Sequence, residues 1–181
     1  MHGIRPANHP HRRLGAAMAL LKKHPDLMEK VVDAIEGDGE LAKFFLHVRD
    51  DYWSRHCTLG GRSQAKPAEL IGAARAQEIV TNIVLPFVAA YARTGGDHNL
   101  EAKAHSRYAA LRGMEANSLL RLASGQFFAT PAIARRFLKT ERRQQGLMQV
   151  FQDFCLNDKS VCQRCHFPVF VDRWAADSRR V

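Results

Sequence analysis

The chain has 181 residues, of which 46% are hydrophobic and 25% are charged, as in ordinary soluble globular proteins. Its 27 Lys and Arg against 18 Asp and Glu give a net charge of +9, which favours nucleic acid as the partner and anionic lipid second. The alternative is that this charge serves solubility alone. No run reaches the roughly 18 apolar residues of a membrane span. Four cysteines without a secretory signal argue against a disulfide scaffold and favour the reducing cytoplasm.

Helix signals recur along the whole sequence, and no convincing alternating strand interrupts them. We therefore predict an all-α, single irregular helical domain. Asn8 is the expected cap of the first helix, and His24-Pro25 separates that helix from a second one. Gly37 and Gly39 end the second helix.

The middle of the chain contains a long irregular stretch and then its most apolar helix. Residues 51–67 are rich in turn formers, and Pro67 is the predicted start of the next helix. Pro86 is expected to kink that helix, because proline lacks a backbone N–H. Asn82 is expected to be buried and to satisfy carbonyl groups that the kink frees.

Thr130 and Pro131 mark the start of a long helix, since a capping hydroxyl followed by proline at the first helical position is typical of helix starts. Apolar residues continue at helical spacing to Phe154, and a cationic stripe lies on the opposite face. The stripe is either a solvated outer face or a phosphate-contacting surface. The predicted nucleic-acid-binding residues are Arg12, Arg13, Arg135, Arg136, Lys139, Arg142 and Arg143.

Three of the four cysteines, Cys155, Cys162 and Cys165, follow that helix with the spacing C-x6-C-x2-C. A CxxC pair places two thiolates on one turn, where both can bind zinc or cluster iron. Cys57 or a histidine would supply the fourth ligand of a closed, structural or electron-transferring site. We predict a cysteine knuckle and basic tail over residues 155–181, packed in the same domain as the helical residues 1–154.

The cysteine pair has other interpretations. Residues 162–166 spell the haem attachment motif CxxCH, but haem attachment normally requires export and leaves Cys155 unexplained, so haem is not expected. A redox-active CxxC generally opens a helix in a βαβ setting, and the sequence contains no such pattern. The three residues would otherwise be reduced thiols at a junction between helix and loop.

The C-x6-C-x2-C spacing resembles the beginning of the iron-sulfur loop in helical DNA glycosylases of the endonuclease III type. The loop of that family ends in a fourth cysteine, where this chain has Val171. The resemblance implies an alternative function, a DNA repair enzyme of glycosylase-like or nuclease-associated type with an iron-sulfur centre.

A wider resemblance joins motifs along nearly the whole chain. RPANHPHRRL, YWSRH, NIVLP, MEAN and QQGL, followed by the terminal cysteines, resemble in their order the C-terminal half of an uncharacterised bacterial family, the domain of unknown function 2851. The resemblance implies a preceding, strand-containing portion with residues suggestive of a nuclease core, which a partner protein would supply. It argues against Cys57 as a ligand, because the family typically has an aromatic residue there, whereas His56 fits the pattern.

Catalysis needs a base and a nucleophile or an open metal position, and Glu115 with His56 is the single pair that the sequence offers. We therefore expect a non-catalytic, metal-stabilised helical module that binds or helps to process nucleic acid.

Overall fold

A computed structural model describes residues 9–37, 39–157 and 162–177. These residues form helices and loops, and their only β-type pairing is an isolated antiparallel bridge between Arg112 and Thr140. The predicted all-α class is therefore confirmed. In the described part of the chain, every helix is too short or too polar to cross a lipid bilayer.

The chain divides into two compact units, Met1–Tyr108 and Ala109–Val181. The described α-helices of the first unit are α1 Pro10–Lys23, α2 Leu27–Glu36, α3 Ala73–Ile79, α4 Leu85–Gly95 and α5 His98–Ala110. The end of α5, after Tyr108, belongs to the second unit. The largest fully buried apolar side chains of the first unit are Val31, Ile35, Val48, Leu85 and Val88.

Helix α1 begins with an N-cap histidine and packs closely against a tryptophan. The side chain of His9 accepts a hydrogen bond from the backbone N–H of His11, while Asn8, the predicted cap, lies outside the described residues. A Cβ atom built on Gly15 would lie 2.3 Å from Cδ1 of Trp53. Only glycine therefore lets the Trp53 ring approach α1 this closely.

The kink expected at Pro86 takes the form of a π-helical segment, Val80–Val84, between α3 and α4. Because proline has no N–H and its ring crowds the preceding turn, the backbone widens, and the N–H of Leu85 bonds to the carbonyl of Val80 five residues earlier. The helix before the kink begins at Ala73, later than the predicted start. Asn82 is exposed rather than buried, and the buried polar residue of this segment is Thr81.

The second unit contains shorter helices. Its described elements are α6 Ser118–Phe127, α7 Pro131–Phe137, α8 Glu141–Phe151, the π-helical segment Gln152–Asn157, a 3-10 turn Cys162–Arg164 and α9 Phe167–Asp177. Helices α6 and α7 share a small core of Leu120, Ala134 and Leu138.

The single helix predicted from Thr130 to Phe154 is wrong. Its start is right, because Thr130 caps α7 by accepting a hydrogen bond from the N–H of Ile133 at 3.3 Å. The chain then leaves the helical conformation before α8, and Thr140 is extended, with φ −116° and ψ 151°.

Pairing with an earlier segment explains this break. The N–H of Gly113 donates to the carbonyl of Lys139 at 2.8 Å, and the N–H of Glu141 donates to that of Leu111 at 3.0 Å. These two bonds flank the bridge at Thr140 and satisfy backbone groups that a continuous helix would otherwise have paired.

Candidate nucleic-acid interface

A groove of about 960 Å³ lies in the second unit. Its lining comes from residues 112–114, Ala116, helices α6 and α7, the connection to α8 and Gln144. Its volume falls within the range of roughly 300–1,000 Å³ that is typical of ligand pockets.

The floor of the groove is apolar and belongs to the core of the unit. Leu120, Ala134 and Leu138 line the groove and are 3%, 7% and 9% exposed. Ala116 and Phe128 line it too and pack against the same three side chains. Because close-packed cores resist deformation, this packing fixes the shape of the groove.

The rim of the groove is cationic. Arg112, Arg121, Arg135 and Lys139 line it, and all four are exposed. The described residues of the lining include no Asp or Glu, and no described carboxylate forms an ion pair with any of the four. The positive charge of the rim is therefore not neutralised by the described residues of its own chain.

A buried glutamine ties one wall of the groove to α8. Gln144 is 8% exposed. Its Oε1 accepts a hydrogen bond from the N–H of Met114 at 3.0 Å. Its Nε2 donates to the carbonyl of Met114 at 3.0 Å and to that of Leu138 at 3.3 Å. Buried Glu141 also accepts from the N–H of Met114, at 3.2 Å. A Cβ atom on Gly113 would lie 2.5 Å from Nε2 of Gln144, so this wall requires glycine.

The MEAN and QQGL motifs therefore meet at this wall. Met114 opens the first motif and Gln144 opens the second, while Asn117 caps α6 by accepting from the N–H of Leu120 at 2.8 Å. Their polar groups maintain the backbone that shapes the groove.

Glu115 and His56, the nominated catalytic pair, belong to different units. Glu115 is exposed and is not part of the groove lining. The His56 ring stacks on Tyr52 with centroids 4.0 Å apart, and its Nδ1 lies 2.8 Å from the Tyr52 carbonyl oxygen. In the first unit, His56 thus helps to order its own loop.

Of the predicted nucleic-acid-binding residues in the second unit, Arg135 and Lys139 line the groove. Arg136 and Arg142 are exposed elsewhere on α7 and α8. Arg143 donates from Nη1 to the carbonyl of Phe137 at 3.1 Å, and its guanidinium lies 5.1 Å from the centre of that residue's ring.

Arg12 and Arg13 lie on α1 in the first unit. Arg13 is exposed. Arg12 is only 6% exposed, and its Nη2 donates to the carbonyls of Ala68 and Glu69 at 3.4 and 3.1 Å. Arg12 therefore fastens the loop before α3 and presents little of its charge to solvent.

Sequence reasoning missed two of the four rim cations, Arg112 and Arg121. Neither lies in the helical pattern from which the stripe was derived. Arg121 donates from Nη1 to the carbonyl of Ala116 at 2.6 Å, a contact between residues five positions apart. Only the folded unit brings these side chains to the same groove as Arg135.

Two of the three clustered cysteines are partly buried, and Cys162 is exposed. Burial raises the pKa of the Cys155 thiol, and the nearby thiols of Cys165 and Cys162 add to that rise. The Sγ atom of Cys162 accepts from Nε2 of Gln126 at 3.3 Å, and that of Cys165 accepts from the N–H of Phe167 at 3.5 Å. Cys155 is thus near enough to each of the other two thiols for their charges to act on it.

Within residues 9–37, 39–157 and 162–177, no group of three or more His, Cys, Asp or Glu side chains has an arrangement that could hold a metal ion. Cys57 belongs to the first unit, where its Sγ accepts from Nε2 of Gln64 at 3.3 Å. Metal binding by the cysteines stays a prediction from their spacing.

Comparison with known proteins gives one family. The family described as "Protein of unknown function (DUF2851)" matches residues 1–118, which include the MEAN motif but neither QQGL nor the three clustered cysteines. Curated proteins and solved structures give no match, and none of these findings supports the resemblance to the iron-sulfur loop of DNA glycosylases. Because the matched residues make up more than half of the chain, the protein belongs to the DUF2851 family.

Proposed function

We propose that this protein is a non-catalytic helical module that binds nucleic acid through the groove of its second unit. The observation that carries the proposal is the cationic rim of Arg112, Arg121, Arg135 and Lys139 around an apolar floor. Phosphate groups of a nucleic-acid backbone bind such cations and release condensed counterions, which supplies most of the free energy of non-specific binding.

A polyanion explains the rim better than a single small anion does. The four cations come from three separate segments: Arg112 precedes α6, Arg121 lies in α6, and Arg135 and Lys139 lie in and after α7. A chain of phosphates can contact cations on several segments at once. The net charge of +9 adds a long-range field that speeds the encounter with such a polymer.

The chemistry of the lining supports binding rather than catalysis. Its described residues include no Asp, Glu, His or Cys, the side chains that most often move protons or hold catalytic metals. Any nuclease step would thus depend on a partner or on another part of the protein. We further propose that Cys155, Cys162 and Cys165 bind zinc or an iron-sulfur cluster in the reducing cytoplasm and thereby stabilise the end of the second unit.

Fluorescence anisotropy with a labelled oligonucleotide at low salt tests the proposal. Replacing all four rim cations with Gln should weaken binding by at least about tenfold. The matched control replaces four other exposed basic residues with Gln: Lys22, Arg62, Lys66 and Arg173. This control removes the same charge and should change affinity much less. Absence of binding by the wild-type protein, or equal losses in both variants, would rule out the groove as the binding surface.

A further inference from the structure

We infer that the groove takes up an unpaired nucleobase, so that the protein binds single-stranded nucleic acid more tightly than duplex. This inference rests on the proposed function and names the form of nucleic acid that the groove accepts.

The apolar floor is the first argument. Leu120, Phe128 and Leu138 line the groove together with its cations, and Phe128 is only partly buried, so part of its surface is open to a ligand. An unpaired base has an apolar face that can cover such a floor, and stacking on aromatic side chains is a general feature of single-strand binding. In a duplex the faces of the bases are stacked on one another and cannot reach the floor.

The arrangement of charge is the second argument. The rim cations come from the segment before α6, from α6 and from the region of α7, so three separate segments bring positive charge to a groove with an apolar floor. A strand has a phosphate on each side of every base and matches this pattern. A single lipid chain carries its charge at one end only.

The hydrogen bonds of Gln144 predict that the groove discriminates only weakly among the nucleobases. This residue is the one side-chain amide among the described residues of the lining. Its Oε1 accepts from Met114, and its Nε2 donates to Met114 and Leu138. Both amide hydrogens are thus engaged, and Gln144 cannot donate one of them to a base edge.

Two glycines permit a matched test. Gly125 in α6 lines the groove, and Gly146 in α8 does not. A Cβ atom on either glycine would meet no atom within 4 Å, and leucine favours helix over glycine. Gly125→Leu should therefore obstruct the groove without unfolding the unit, and Gly146→Leu is its control.

The probes are a labelled oligothymidylate of about 12 nucleotides, an abasic strand of the same length and a hairpin duplex. The wild-type protein should bind the oligothymidylate about tenfold more tightly than the abasic strand, and more tightly than the duplex. Gly125→Leu should remove the advantage of the oligothymidylate over the abasic strand. Gly146→Leu should behave as wild type.

The outcomes separate this inference from the proposed function. Equal binding of the oligothymidylate and the abasic strand, with no effect of Gly125→Leu, would overturn base insertion while nucleic-acid binding stands. Failure to bind any of the three probes would overturn both. Binding to phosphatidylserine vesicles in preference to every oligonucleotide would assign the groove to lipid and also overturn both.

Discussion

At the scale of single residues, the shape of the groove depends on buried polar side chains that form hydrogen bonds to the backbone. Gln144 satisfies three backbone groups on two segments, and an unsatisfied buried group costs about 1–3 kcal/mol. The sequence showed Gln144 only as part of a motif. Its buried position depends on the bridge between Arg112 and Thr140. No local sequence pattern predicts that pairing.

Gln144→Leu should lower the free energy of unfolding by about 1–3 kcal/mol, because the carbonyls of Met114 and Leu138 lose the amide that donates to them. Urea denaturation followed by circular dichroism measures this loss. Gln149→Leu, at an exposed position of the same helix, is the control. A loss in Gln144→Leu no larger than in Gln149→Leu would show that Gln144 does not hold the wall.

His24 should make stability depend on pH. Burial lowers the pKa of His24, and Lys23 and Lys30 lower it further, while Asp26 opposes them. The unfolded chain therefore binds a proton at a higher pH than the folded chain. The contribution of His24 to stability is present above its unfolded pKa of about 6.5. It is lost as pH falls toward the lowered pKa of the folded state.

Urea denaturation between about pH 7.5 and pH 5.5 measures this dependence, above the range in which carboxylates titrate. The free energy of unfolding should decrease in the wild-type protein as the pH is lowered. It should decrease less in His24→Gln, which cannot gain the proton. Parallel curves for the two proteins would show that His24 is not responsible.

At the scale of elements, local signals predicted some helix boundaries and missed others. The Thr130 cap and the end of α2 at Gly37 are confirmed, because a cap depends on neighbouring residues, whereas the helix predicted to start at Pro67 begins at Ala73. The break before α8 was missed, since apolar spacing continues across it and the competing backbone bonds come from Leu111 and Gly113. The kink at Pro86 was predicted, but not its π-helical form.

The cysteine segment yields a prediction about this part of the fold. Cys162→Ser or Cys165→Ser should release bound metal and lower thermal stability together, because a structural site contributes folding free energy. Metal analysis and an ultraviolet-visible spectrum of anaerobically purified protein, with thermal melting, measure both effects. Cys57→Ser, in the first unit, tests whether that residue is the fourth ligand. Unchanged metal content in Cys162→Ser and Cys165→Ser would refute the metal site.

At the scale of the whole molecule, the helix signals along the chain predicted the fold class, and the composition predicted the sign of the charge. It did not predict the groove. Arg135 and Lys139 were found from a helical pattern, although the helix that suggested them is interrupted. Arg112 and Arg121 join them through tertiary packing alone, so two of the four rim cations could be predicted from the sequence and none of the floor.

The isolated chain should neither cleave DNA with added divalent metal nor release damaged bases. The described lining has no acid, histidine or cysteine, and the His56 ring stacks on Tyr52. Gel assays of nicking and of base excision measure this directly. Activity that Glu115→Gln or His56→Ala abolished would instead establish an enzyme.

The salt dependence of binding tests the central claim most directly, because each phosphate contact adds a known increment to the slope of log affinity against log salt. Removing the four rim cations should make the slope for single-stranded DNA shallower by about 3, while the control variant keeps a slope near that of the wild type. A slope unchanged by loss of the rim would contradict the account, since it would mean that the groove does not contact phosphates.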